Sequence, residues 1–302
     1  MYAWCKKVFV VIAVLSGKPM QSSFISFDVA MNMQSFENVL MSQEHEKYFG
    51  VSGDCLYNFF RDLYDRMKHA PDISDIYFRI PKIIHQIWIG NSIPEKFKSY
   101  QNSWKLYHPD WEYRLWTQKD IESMEWYNAE LIHQSRNPGE ISDIMRYEIL
   151  YNYGGVYIDM DFECLAPLND LHTTYDFYIG IQPLDSGLVQ LGIGIIGSIP
   201  GHPLLLRAMA QLRDSYYDPE HKGNAPARTG PLYFTKIFFS LAGQTTQDIA
   251  LPAIYCYPLA CKGTELHYDE WRLLGAFGVH HWAKSWLLPD FRKPEFRNLG
   301  NE

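Results

Sequence analysis

Asn137 to Asp161 reads NPGEISDIMRYEILYNYGGVYIDMD, and it predicts a helix, a two-glycine turn and a strand that ends in two carboxylates. Asn137-Pro138-Gly139-Glu140 is a helix start: asparagine caps a free N–H, proline fits the first helical position, and Glu140 completes a capping box. Ile141, Ile144, Met145 and Leu150 recur near the helical period. Gly154-Gly155 ends the helix, because glycine tolerates a left-handed cap. In the strand that follows, alternation sends Val156, Ile158 and Met160 to one face and Tyr157, Asp159 and Asp161 to the other.

Carboxylates two residues apart on one strand face lie about 6–7 Å apart. At an effective dielectric of about 20 they repel by roughly 2–3 kcal/mol. In a cleft only a cation relieves that, and hard oxygen ligands suit Mn²⁺ or Mg²⁺. The first expectation is therefore a divalent ion on Asp159 and Asp161 that holds a diphosphate; the plainer alternative is a pair of surface aspartates beside a turn. Asp143 and Arg146 share the face of the preceding helix. Arginine there suits phosphate and aspartate suits a sugar hydroxyl; the alternative is an ordinary surface ion pair.

The run S-D-I-M-R-Y-E-I-L-Y-N-Y-G-G-V-Y-I-D-M-D (142–161) resembles the core signature of glycosyltransferase family 32, whose sugar-binding region contains a DXD motif. That family includes α-mannosyl- and α-1,4-galactosyltransferases, and the pattern is distantly similar to that of bacterial glucosylating toxins. The resemblance extends from about Ile80 to Trp286. It implies an α/β fold of the GT-A type, Rossmann-like, with a mostly parallel central sheet. It also implies retaining transfer of a hexose from a UDP- or GDP-linked sugar to a hydroxyl on a glycan, lipid or protein.

Pro81-Lys82-Ile83-Ile84-His85-Gln86-Ile87-Trp88-Ile89-Gly90 is nearly continuously apolar, as in a buried parallel strand, and resembles the family's first strand. Ligands bind beyond the carboxyl ends of such strands, where Trp88 and Gly90 fall. The resemblance puts Trp88 near the nucleotide base, where an indole stacks for about 1–3 kcal/mol. A helix over 94–107, a strand over 111–116 and a helix from a Thr117–Asp120 cap to about His133 complete a β-α-β-α half. No G-x-G-x-x-G or P-loop is present, so the phosphates require another holder.

Strands are expected over 175–181 and 191–198, and helices over 204–213 and from Arg228-Thr229-Gly230-Pro231 to about Ala242. Gly192-Ile193-Gly194 stands where the family often carries a polar residue such as Asn, so that contact is not carried over. Val279-His280-His281-Trp282 and Ser285-Trp286 resemble the family's late H-x-W…S-W pattern. The resemblance selects His280 over His281 as a third metal ligand, imidazole being a ligand for Mn²⁺. Trp286 and Tyr157 join the substrate-binding set, and Asp143, Arg146 and Asp161 the catalytic set.

The 302 residues, 47% hydrophobic, suffice for one sizeable domain. A net charge of −8 without a basic run argues against nucleic acid as a partner. Among the five cysteines there is no C-x-x-C pair. Residues 1–20 are either a short secretory leader or a buried strand; 21–78 form an α-helical N-terminal appendage, 79–290 the catalytic domain and 291–302 a polar tail. A leader would make the protein secretory or membrane-associated; without one it is cytoplasmic. Two other classes share parts of this pattern. One is a carbohydrate-binding protein without turnover. The other is a D-x-D phosphohydrolase, which normally has Thr or Val where Glu163 stands.

Overall fold

The computed structural model describes residues 24–70, 77–90, 92–262 and 265–283. Expectations for the leader, the polar tail and Trp286 lie outside the described residues.

Six strands form the central sheet: β1 (Ile83–Trp88), β2 (Glu112–Thr117), β3 (Gly155–Ile158), β5 (Phe177–Ile181), β6 (Leu191–Ser198) and β7 (Asp248–Leu251), in the order β2-β1-β3-β6-β5-β7. The β1–β2, β1–β3 and β5–β7 pairs are parallel, and only β6 runs antiparallel to its neighbours. A second, two-stranded antiparallel sheet joins β4 (Phe162–Cys164) to β8 (Gly278–His280). This is the α/β, mostly parallel arrangement expected from the sequence.

Five longer helices flank the sheets: α1 (Gly53–Met67), α2 (Glu95–Tyr107), α3 (Pro138–Tyr153), α4 (Pro203–Tyr217) and α5 (Pro231–Leu241). Leu56, Phe60 and Leu63 of α1 are fully buried, and this N-terminal helix packs beside β7. Buried apolar side chains from both faces of the central sheet and from the N-terminal helices make one continuous core.

The helix start at Asn137 differs in detail from the expected box. Asn137 Oδ1 accepts the N–H of Gly139 at 2.9 Å, but Glu140 turns to the Ser135 hydroxyl (2.6 Å) and Arg228 (3.0 Å). Arg228 thereby neutralises a buried carboxylate. At the other end, Gly154 (φ 62°) and Gly155 (φ 92°) end α3. A Cβ on Gly155 would stand 2.5 Å from the Ile83 carbonyl, so the pair also lets β3 close against β1.

Three element expectations need correction. Within the appendage expected to be α-helical, the stretch 36–48 forms 3₁₀ turns and only a short helix, Glu44–Phe49. The helix from Thr117 does have its capping box with Asp120, but it breaks into Gln118–Ser123 and Ala129–Gln134. The break is held by the buried carboxylate of Glu148, which accepts the N–H groups of Tyr127 (2.6 Å) and Asn128 (2.8 Å). Finally, β3 ends at Ile158: Met160 and Asp161 lie in a turn, so Asp159 and Asp161 do not share one strand face.

Candidate functional site

The turn after β3 lies at the carboxyl end of the parallel strands, where it lines a cleft of about 300 Å³ with Trp88, Asp143, Arg146 and His280. Asp159 is anchored through its backbone: its N–H donates to Gly194 O on β6 at 2.8 Å, and Gln86 Nε2 donates to its carbonyl at 3.2 Å. The Tyr157 hydroxyl, itself beside Ser142, donates to Asp159 Oδ1 at 2.7 Å. Asp161 Oδ2 accepts the Ala283 N–H at 2.7 Å, and Asp161 O accepts that of His281 at 2.9 Å. The C-terminal strand is thus tied to the turn it faces.

That strand brings His280 to the two carboxylates. Its Nε2 is 3.1 Å from Asp161 Oδ1 and 3.7 Å from Asp159 Oδ2. One ligand atom from each of the three residues falls within 4.8 Å of the others. Burial opposes an imidazolium here, but the two carboxylates outweigh it and push His280 up to about 9. Burial likewise works against the charged Asp161, and the His280 cation with the Ala283 N–H overcomes it and holds this carboxyl below its ordinary range. Two carboxylates that recruit a positive charge, with an imidazole nitrogen between them, are a donor set that fits a divalent cation such as Mn²⁺. His281 turns away: its Nε2 pairs with Glu163 at 3.0 Å and its ring stacks on Tyr100.

Asp143 and Arg146 meet as the helical spacing requires, at 3.0 Å, but both are buried rather than on the surface. Arg146 also donates to Ile193 O at 2.7 Å, reaches Asp159 at 3.4 Å and lies over the Tyr157 ring. The guanidinium is therefore a hub that fixes Asp159 and β6. Asp143 accepts the Thr229 hydroxyl at 2.8 Å; burial pushes its carboxyl up to about 7, with Arg146 opposing.

Of the other residues singled out from sequence, Trp88 lines the cleft with its ring edge-to-face on Phe97. Gly90 (φ 148°) follows beyond the lining residues. Tyr157 is buried, with its hydroxyl committed to Ser142 and Asp159, so it supports the carboxylate more than it faces the cleft. Sequence reading missed Tyr257, Thr229 and Ser142. Thr229 lies in the Arg228-Thr229-Gly230-Pro231 stretch read only as a helix start, and nothing local marks Tyr257.

Residues 94–178 match the family described as glycosyltransferase sugar-binding region containing DXD motif. The resemblance read from the sequence is thus a family match, and it spans Asp143, Arg146, Asp159 and Asp161. Among curated relatives, a mannosyl phosphorylinositol ceramide synthase of Saccharomyces cerevisiae is 31% identical over 67% of this chain and 55% of its own length. Inositol phosphoceramide mannosyltransferase 3 of Schizosaccharomyces pombe is 35% identical over 53% of this chain and 45% of its own. The chain spans about half the length of these curated relatives. A solved structure titled PaToxG Glycosyltransferase is similar at a TM-score of 0.42 and 17% identity, over 62% of this chain and 79% of that one. The chain carries a region that matches the DXD-containing glycosyltransferase family, on a mostly parallel α/β sheet, with its DXD turn lining the cleft.

Proposed function

We propose that the protein is a metal-dependent, retaining glycosyltransferase that moves a hexose from a nucleotide-sugar to an acceptor hydroxyl. The observation that carries this is the convergence of Asp159, Asp161 and His280 in the cleft that Trp88, Asp143 and Arg146 also line. The names of the relatives favour mannose as the hexose and an inositol phosphoceramide as the lipid acceptor.

Asp159, Asp161 and His280, the last as the neutral imidazole, would hold the ion in place of the imidazolium, and the Ala283 N–H fixes Asp161 through Oδ2. When bound, the cation supplies Lewis-acid stabilisation of the charge that develops on the departing nucleoside diphosphate. Trp88 offers its indole to the base. Arg146 holds Asp143 and Asp159 in register, and Asp143 retains lone pairs that accept sugar hydroxyls. Buried walls from β3 and β6 exclude water from the anomeric carbon.

A phosphohydrolase reading is weaker, because Glu163 is spent on His281 and Tyr268. The test is a screen of UDP- and GDP-sugars with and without Mn²⁺, reading release of nucleoside diphosphate. Metal-dependent release supports the reading. Sugar binding without release would leave a carbohydrate-binding protein, and full turnover in excess chelator would remove the metal from the mechanism.

A further inference from the structure

The side of the cleft formed by β6 contains a tyrosine that the mechanism has not used. Tyr257 follows the short helix Ala253–Cys256, and its ring lies in a slot cut by three glycines. A Cβ on Gly180 would come within 2.6 Å of that ring, and one on Gly192 within 2.4 Å. A Cβ on Gly194 would stand 3.2 Å from the Tyr257 hydroxyl and 2.8 Å from Asp159 Oδ2. The β5–β6 register shifts at this point, beside Gly180. Such irregularities re-aim groups next to sites. Three of the backbone groups of β6 at this point are taken by site residues: Ile193 O by Arg146, Gly194 O by the Asp159 N–H, and Gly194 N–H by the Tyr257 hydroxyl at 3.0 Å.

That last bond decides the hydroxyl's orientation. A phenol has one proton to give and lone pairs to accept with. Here the accepting side faces Gly194, and among the described residues no protein group takes the proton. Tyr257 is almost wholly buried, and it is exposed only as part of the cleft lining. A buried donor without an acceptor costs about 1–3 kcal/mol, so a ligand oxygen that supplies one is favoured. The ring also meets His280 edge-on at 5.6 Å, which keeps the hydroxyl beside the carboxylate cluster.

We propose that Tyr257 is a further substrate-contacting residue, whose hydroxyl donates a hydrogen bond to a hydroxyl oxygen of the transferred hexose. This deepens the nucleotide-sugar reading and rests on it. The sugar is the partner favoured over the diphosphate because Tyr257 hangs from the bulge whose preceding carbonyl, Ile193 O, holds Arg146 beside Asp143.

The test is Tyr257→Phe, with calorimetric binding of the nucleoside diphosphate and of the intact nucleotide-sugar, both with Mn²⁺. Affinity for the sugar-bearing ligand falls about tenfold, the worth of one hydrogen bond, while that for the diphosphate holds within about twofold. In the wild type, donors lacking one sugar hydroxyl at a time reproduce the loss at a single position, and Tyr257→Phe is insensitive to that position. An equal loss for both ligands would mean that Tyr257 acts on Asp159 or the diphosphate and overturns the proposal; so would no loss at all. Because the Phe variant strands the Gly194 N–H, 3-fluorotyrosine at 257 is the second variant. It keeps ring and hydroxyl but donates more strongly, and sugar-ligand affinity rises; unchanged affinity counts against the contact. If the wild type binds no nucleoside diphosphate with Mn²⁺, the nucleotide-sugar reading itself fails, and this proposal with it.

Discussion

His280 Nε2 stands 3.1 Å from Asp161 Oδ1, across the antiparallel pairing of β4 with β8. The third candidate ligand therefore depends on a three-residue strand near the end of the described chain. Asp161→Ala removes one ligand and leaves His280 to Asp159 alone. We expect Mn²⁺ affinity to fall by more than about a hundredfold, beyond what loss of an outer-shell partner does. Calorimetric titration of Mn²⁺ reads it. Circular dichroism checks that the fold survives, and turnover equal to wild type would contradict the assignment.

Arg146 separates a positioning role from a folding role. Its guanidinium is buried against Asp143 and Asp159 and bonds the Ile193 carbonyl. Arg146→Ala leaves two carboxylates facing each other in a buried wall, and removal of one partner from such a cluster costs about 3–5 kcal/mol. Urea unfolding should show that loss. Arg146→Lys keeps the charge without the planar fork and recovers stability in part, but not turnover.

Asp143→Asn tests the neighbouring acceptor with little change in shape. Thr229 and Arg146 donate to it, so the amide sacrifices one accepting oxygen. The expected result is a fall in kcat/KM of about tenfold to a hundredfold, with the thermal midpoint moved by only a few degrees. A variant with wild-type kcat/KM would show that Asp143 contacts no substrate.

The sequence made β1, α3, the Gly154-Gly155 turn and β6 legible because each is decided by neighbours in the chain. The nearly continuous apolar run of 83–89 is too short for a core helix and fits a buried strand, and two glycines after a helical repeat favour a stop. Asp143 and Arg146 met because three residues along a helix is a fixed geometry. What stayed hidden was decided by distant groups. The strand expected to reach Asp161 stops at Ile158 because the following residues leave to pair with β8. The helix from Thr117 breaks because a carboxylate on α3 takes its N–H groups. Tyr257 carries no local mark, and the glycines that accommodate it lie on two other strands.

Two buried histidines predict a loss of stability in mild acid. His85 Nε2 donates to Gly154 O and its Nδ1 accepts from Trp116; His172 bonds Ile80 O and the Tyr178 hydroxyl. Burial lowers His85 to about 4 and His172 to about 3, from an ordinary value of 6.5. Above pH 6.5 neither the folded nor the unfolded chain protonates them. Below it the unfolded chain takes up protons that the folded chain refuses, until about pH 4 for His85 and about pH 3 for His172. Each contributes a slope of at most about 1.4 kcal/mol per pH unit in that window. Asp143, pushed up to about 7, takes up a proton in the folded chain over the same window and offsets about one histidine's share, so the test is a difference: unfolding free energies measured at pH 7, 6 and 5 should fall less steeply in His85→Gln than in the wild type, by about one histidine's slope.

Glu148 supplies a change confined to folding. Its buried carboxylate accepts two backbone N–H groups at the break between Ser123 and Ala129. Burial raises its pKa and those N–H groups oppose the rise, so much of the bonding survives in a neutral isostere. Glu148→Gln keeps one accepting oxygen and should cost about 1 kcal/mol, whereas Glu148→Ala strands both donors and should cost about 2–4 kcal/mol. Neither substitution reaches the cleft lining, so KM for the donor sugar should stay at the wild-type value in the folded fraction. A shift in KM with unchanged stability would mean that the break between the two short helices is coupled to the cleft through α3, the helix that also carries Asp143 and Arg146.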